Sequence, residues 1–279
     1  MRADARTSRT SRRFHPSRKL FWMVAVSVLS SLVYAAACGP FPPLVGLDAA
    51  LAAEAVVDRG PAYTVKTHRQ SYFQLNESGG LVEQDGLPIR AEKIYHLRRT
   101  IDPDTAAIVV MDPWIDMASD HLNQYYGRIA ESHVVPLVNK GLERGHRIIV
   151  LTNDPAVVKY NTRIHPKLAA LVADKRATLL YHQNFDDDQF ADYLHKAGIS
   201  TLIYTGFASN MCVIGRRMGM IPMVQQGFKT YFVPEASAAV EMEGTWESGS
   251  VHRETTNIIS QWIAEIVHYD EFMQAGSTE

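Results

Sequence analysis

Three side chains in this chain of 279 residues have the types that nucleophilic acyl transfer requires: the thiol of Cys212, the carboxylate of Asp112 and the imidazole of His182. A thiol attacks a carbonyl carbon once its proton is taken, a carboxylate takes that proton, and an imidazole orients or relays it. Each follows a run of β-branched and aliphatic residues: 106–111 before Asp112, 178–181 before His182, and 201–205 before the small-residue turn that leads to Cys212. Cys212 falls where a helix is expected to start, beside backbone N–H groups and the positive end of a dipole. Both lower a thiol's pKa, so a reactive thiolate is expected there. The competing reading is a buried, inert cysteine.

Side chains so far apart in sequence meet only if the runs that carry them lie side by side and point the same way. Residues 106–112, 147–152, 178–182, 201–205 and 230–233 are short, continuous and apolar, as strands covered on both faces must be. Helical patterns lie between them. Residues 121–144 carry Leu122, Tyr125, Tyr126 and Ile129, then Val134, Leu137, Val138 and Leu142, with a break or restart at Pro136 and a closing Gly145. Residues 167–173, 189–197, 211–226 and 251–268 supply four further helices. The alternation predicts a single α/β domain over 105–270, a doubly wound and mainly parallel sheet with helices on both faces. In such sheets chemistry sits at the carboxyl ends of the strands. Residues 62–104 read as an N-terminal extension, a hairpin around Gly79-Gly80 laid over the domain.

The first 37 residues are of another class. Arg2, Arg6, Arg9, Arg12, Arg13, Arg18 and Lys19 precede an apolar stretch over 20–37 that ends Ala35-Ala36-Ala37, the layout of an export signal. The stretch approaches the roughly 20 residues that span a bilayer, so an uncleaved membrane anchor is the alternative. Cys38 after the three alanines resembles a bacterial lipoprotein box, which implies lipidation of Cys38, although Ala35 stands where such boxes usually carry Leu. Residues 38–61 read as a Pro/Ala-rich tether. Localisation is therefore expected to be the cell envelope, membrane-anchored or periplasmic/extracellular. Cys38 and Cys212 are the only cysteines, so Cys212 becomes a free thiol in an oxidising compartment. Residues 1–37 hold 7 of the 28 basic and 1 of the 30 acidic residues, leaving 21 basic against 29 acidic. That surface excludes nucleic acid as the expected partner.

The segments 106–112, 206–213 and 227–237 together resemble the isochorismatase-like cysteine hydrolases, a superfamily that includes nicotinamidases, carbamoyl-amide hydrolases and isochorismatase itself. The resemblance runs from about residue 106 to 268. It implies the doubly wound fold and a catalytic set of Asp, Lys and Cys, with Asp112 and Cys212 in two of those places. It also implies a cis peptide between Phe207 and Ala208 that aims backbone N–H groups near Cys212 at an oxyanion. The lysine departs from the pattern: His182 stands at the end of the third strand, and Lys175 lies in the turn before it, towards the opposite edge of the sheet. The family's metal-using branch carries an Asp-X-His pair and a further His. This chain has Asp154 and His165 there without the second histidine, and neither a metal nor a cofactor is expected.

Other candidates each carry two readings. Trp114 and Phe185 line a ligand pocket or belong to the core, and Asn210 binds substrate or the oxyanion or caps the helix. Asp186, Asp187 and Asp188 fit a helix start by the dipole alone. His252 reads as a packing or surface histidine, and Met218–Met223 as core or interface. Gly-X-Ser-X-Gly, Walker A and dinucleotide fingerprints are absent from the sequence.

The reading that follows is an exported cysteine hydrolase that cleaves a small amide-like C–N bond through a thioester on Cys212, taking a small-molecule substrate. The resemblance adds a homo-oligomer, and the vinyl-ether hydrolysis of isochorismatase itself, which uses no thiol nucleophile, fits less well. The second reading is a non-catalytic relative that binds a small ligand or protein partner at the same cleft, suggested by His182 in place of the lysine.

Overall fold

The computed structural model describes residues 60–276. The export signal, Cys38 and nearly all of the tether lie outside the described residues. Two short strands, β2 (Glu83–Gln84) and β3 (Leu87–Pro88), form the tip of a long antiparallel hairpin between β1 (Tyr63–Phe73) and β4 (Arg90–Ile101). Then come β5 (Ala106–Met111), α1 (Asp120–Ile129), a π-helical turn (Ala130–Val134), α2 (Val135–Glu143), β6 (Arg147–Thr152), α3 (Pro166–Ala173), β7 (Thr178–Tyr181) and α4 (Asp187–Lys196). The chain continues through β8 (Thr201–Phe207), a second π-helical turn (Ser209–Val213), α5 (Met220–Gln225), β9 (Lys229–Ala238), α6 (Ser250–Trp262), β10 (Glu265–Ile266) and α7 (Tyr269–Gln274).

Eight strands form one sheet in the order β4-β1-β10-β9-β8-β5-β6-β7. The five strands that sequence marks pair in parallel, β8 with β9 and β5, β5 with β6, and β6 with β7. All six residues of β5 are buried. Ala106, Ile108 and Val110 point into one core layer with α1, α2, α3 and α7, and Ala107, Val109 and Met111 into the other with α4, α5 and α6. That is the period-2 alternation of a strand covered on both sides, each valine, isoleucine or methionine contributing about 1.5–3 kcal/mol by burial. The chain leaves β5 towards β6 and β7, then returns to lay β8 on β5's other side. The strand order reverses between β5 and β8, the switch point beyond whose carboxyl ends doubly wound sheets bind ligands in a crevice.

Several expectations are corrected. The 62–104 hairpin joins the sheet rather than lying over it: β1 pairs antiparallel with β10 at His68↔Ile266. Tyr63, Val65 and Ile101 from the hairpin are part of the core. The expected break at Pro136 is a π-helical turn just before it, since proline has no N–H for the α-helical bond. The helix expected over 251–268 ends at Trp262, because the buried Ile266 pairs with Phe232 as part of β10. The helix expected over 211–226 is interrupted between Gly215 and Met220. Met218, Met220 and Met223 are fully buried, so that methionine stretch is core. Among the described residues, no helix is long and apolar enough to cross a membrane.

Candidate active site

The last two carbonyls of β6 hold two of the predicted residues side by side. The backbone N–H of Asp112 donates to Leu151 O at 2.9 Å, and that of His182 donates to Thr152 O at 3.0 Å. Asp112 takes a left-handed φ of +47° just past β5, and its side chain is fully buried. His182 Nε2 lies 2.9 Å from Asp112 Oδ1. His182 Nδ1 is buried without a hydrogen-bond partner. With the other oxygen's needs met elsewhere, the pairing assigns the proton to Nε2, donating to the carboxylate.

Cys212 arrives from β8 by a tight route. At Gly206 φ is +104°, and a Cβ there would stand 2.2 Å from Met111 O, so only glycine lets β8 pass β5 at this point. The Phe207–Ala208 peptide is cis, and the Phe207 ring stacks on Tyr126 with centroids 4.3 Å apart. Cys212 is the fourth residue of the π-helical turn that follows, in which Val213 N–H donates to Ala208 O at 3.1 Å. Such widened turns recur at functional sites. The turn is braced from α6: Ser209 Oγ and His252 Nδ1 are 2.8 Å apart, and His252 Nε2 lies 3.0 Å from Pro234 O. Glu241 accepts the backbone N–H groups of Val251 and His252, fixing the start of α6. His252 is thus a positioning residue for the cysteine turn.

Sequence reasoning missed one member of the site. Arg216 Nη1 lies 2.9 Å from Asp112 Oδ2 and 3.9 Å from Cys212 Sγ. Its Nη2 donates to Asn153 Oδ1, and its guanidinium is 5.8 Å from the Trp114 ring centre. The available signal was the i, i+4 spacing from Cys212 on an expected helix, which sets both side chains on one face. The helical path stops just after Arg216. A Cβ on Gly219 would meet Arg216 O at 2.7 Å and Cys212 O at 2.9 Å, so the chain turns back tightly beneath the site.

The electrostatics overturn the expectation of a resting thiolate. Burial pushes the Cys212 thiol up to about 12; the charge of the nearby Asp112 carboxylate pushes the same way, and Arg216 opposes both. The start of the turn offers too little to outweigh a buried carboxylate next to the sulfur. Cys212 is therefore a protonated thiol poised against a carboxylate.

The remaining predicted residues divide. Trp114 is buried and donates from Nε1 to Thr152 Oγ1 at 2.8 Å, yet its ring faces Arg216. Phe185 is half-buried and packs on the core layer that includes Cys212. Asn210 does not cap a helix: its amide accepts from Val240 N–H at 3.0 Å and donates to Val240 O at 3.3 Å, tying the turn to the end of β9. Asp186 caps α4, while Asp187 accepts from Met218 N–H at 2.7 Å and Asp188 from Gln226 Nε2 at 2.5 Å. Among the described residues, no three His, Cys, Asp or Glu side chains are grouped to hold a metal ion. Asp154 is engaged with Asn184, and His165 with Glu131.

Residues 107–253, more than half of the chain, match the family model of the Isochorismatase domain. The chain belongs to the isochorismatase family of hydrolases. Among solved structures this isochorismatase-family protein is similar to an isochorismatase from Pseudomonas putida, with a TM-score of 0.49 and 16% identity over 61% of this chain and 91% of that one. A cysteine hydrolase from Pseudomonas syringae pv. phaseolicola gives 0.49 and 16%, over 62% and 93%. A nicotinamidase from Staphylococcus aureus gives 0.45 and 16%, over 58% and 96%. No curated protein matches the sequence.

Proposed function

We propose that this protein is a cysteine hydrolase that cleaves a small amide-like C–N bond through a thioester on Cys212. The observation that carries the reading is the buried Asp112 carboxylate, its oxygens held by His182 and by Arg216, with the same guanidinium 3.9 Å from the Cys212 sulfur. As Cys212 Sγ attacks the carbonyl carbon, its S–H bond breaks and the proton passes to Asp112. Backbone N–H groups near Ala208 and Cys212 hold the oxyanion. The tetrahedral intermediate collapses as the C–N bond breaks and the proton moves from Asp112 to the leaving nitrogen. Water, losing a proton to Asp112, then hydrolyses the thioester and regenerates the thiol. The raised thiol pKa fits this sequence, because in the resting site the proton stays on sulfur and passes to Asp112 only on the way to attack.

The same raised pKa favours a second reading, a binding module whose buried thiol never ionises. A panel of small primary amides, with Cys212→Ala and Asp112→Asn as controls, separates the two. Turnover by the wild type that both substitutions abolish, with a mass increment on Cys212 in quenched reactions, is the expected result. Zero turnover across the panel, equal to that of Cys212→Ala, sinks the hydrolase. We further propose export, from the basic and apolar residues 1–37 and Cys38; cell fractionation and lipid labelling of a Cys38→Ser variant test it. Relatives include a hydrolase from Escherichia coli described as octameric, and assembly of this chain into a homo-oligomer is a proposal that light scattering decides.

A further inference from the structure

The two side-chain partners of Asp112 differ in where they face. His182 is closed off, with a side chain 2% exposed, and it bonds only the far oxygen of the carboxylate. Arg216 has a side chain 26% exposed, lies near the Trp114 ring, and reaches both Asp112 and the sulfur. Its orientation is fixed from behind: Asn153 Oδ1 accepts from Arg216 and also from Gln183 Nε2 at 3.0 Å. A buried imidazole that cannot approach the cleft is a poor substitute for a cation at the reacting atoms. A guanidinium at this place is a good one.

We infer that Arg216 is a catalytic residue, the cation that holds the Cys212 thiolate while the thiol proton resides on Asp112. In the resting site the guanidinium faces an anionic Asp112 and a neutral thiol. When the S–H bond breaks and the O–H bond forms, the electron pair stays on sulfur, Asp112 becomes neutral, and the same guanidinium faces the thiolate. The three groups keep one ion pair throughout, so no isolated charge is buried at any stage. Arginine keeps all its protons in proteins, so it supplies charge and no proton. Return of a proton to the leaving group falls to Asp112 alone. The positive group that the resemblance assigns to the end of the third strand is thus supplied from the turn after Cys212. The inference rests on the hydrolase reading for its place in a reaction, and on the geometry alone for the thiol step.

Alkylation of Cys212 by iodoacetamide across a pH series tests it without any substrate. Arg216→Met is expected to slow alkylation roughly tenfold or more at a given pH, one unit of thiol pKa. Arg216→Lys, a point charge without the fork, is expected to recover part of that loss. An Arg216→Met protein with the wild-type melting temperature and the wild-type rate at every pH overturns the inference. Should Arg216→Met fail to fold, Asp112→Asn and the double variant Asp112→Asn/Arg216→Met decide, since the latter leaves no unpaired charge. Asp112→Asn is expected to alkylate faster than wild type, and the double variant to lose that gain. A gain that persists in the double variant, or no gain in Asp112→Asn, overturns the inference. A wild type that hydrolyses no amide but shows the Arg216 dependence defeats the hydrolase reading and leaves only the thiol step of this inference standing; the reverse pattern defeats only this inference.

Discussion

His182 Nε2 stands 2.9 Å from Asp112 Oδ1 with both side chains shut away from solvent. The imidazole can orient the carboxylate but cannot reach a bound molecule in the crevice. His182→Ala is expected to cost about 1.5–3 kcal/mol of stability, because it removes one hydrogen bond to a buried carboxylate. His182→Gln, which keeps a donor, is expected to retain most stability and lose turnover chiefly in kcat. Thermal melts and steady-state kinetics check both, and a change in KM alone contradicts the orienting role.

The Ser209–His252 bond is expected to act on Cys212 only through the turn. Ser209→Ala and His252→Asn each lower turnover several-fold and stability by about 1 kcal/mol, the worth of one hydrogen bond. A double-mutant cycle is expected to give a coupling energy of about 0.5–3 kcal/mol, as for residues in direct contact. Additive losses mean that the two side chains act separately.

His146 predicts how stability depends on pH. It is buried between Tyr63 Oη at 2.7 Å and Ala106 O at 3.0 Å, and burial lowers it to about 4 from the ordinary 6.5. Above 6.5 the histidine is neutral in both folded and unfolded chains and its contribution is complete. As pH falls below 6.5 the unfolded chain binds a proton that the folded one refuses, so stability declines until pH reaches about 4. The upper bound on that loss is about 3 kcal/mol. Denaturant melts of wild type and His146→Gln over this range check it: the difference in slope disappears if His146 is not the titrating group.

Gly206→Ala is expected to destabilise the chain by more than about 1 kcal/mol, because the new methyl meets the Met111 carbonyl and the positive φ disfavours any side chain. Its alkylation profile at Cys212 is expected to shift as well, since Gly206 sets the path from β8 into the turn. Unchanged stability removes this glycine from the account of the site.

The sequence alone determined the parallel strands and which residues end them. Continuous apolar runs such as 106–111, short and rich in β-branched residues, read as strands covered on both faces, and the residue after such a run is placed at the sheet's carboxyl edge by topology. Asp112, His182 and Cys212 were legible for that reason, as was Gly145 closing α2. The hairpin was legible only as a hairpin. Whether β1 lies over the sheet or joins its edge depends on β10, two residues whose pairing no local pattern announces.

The tertiary structure decided the rest. Arg216 is an ordinary arginine in sequence; its role arises because the turn after β8 sets its guanidinium beside Asp112, a residue 104 positions away, and Cys212. Asn210 looked like a cap and became a clamp on Val240 because β9 runs past it. The thiol's ionisation reversed its expected direction for the same kind of reason. A dipole is a local property that sequence carries, whereas burial and the nearness of a carboxylate 100 residues earlier in the chain exist only once the sheet is assembled.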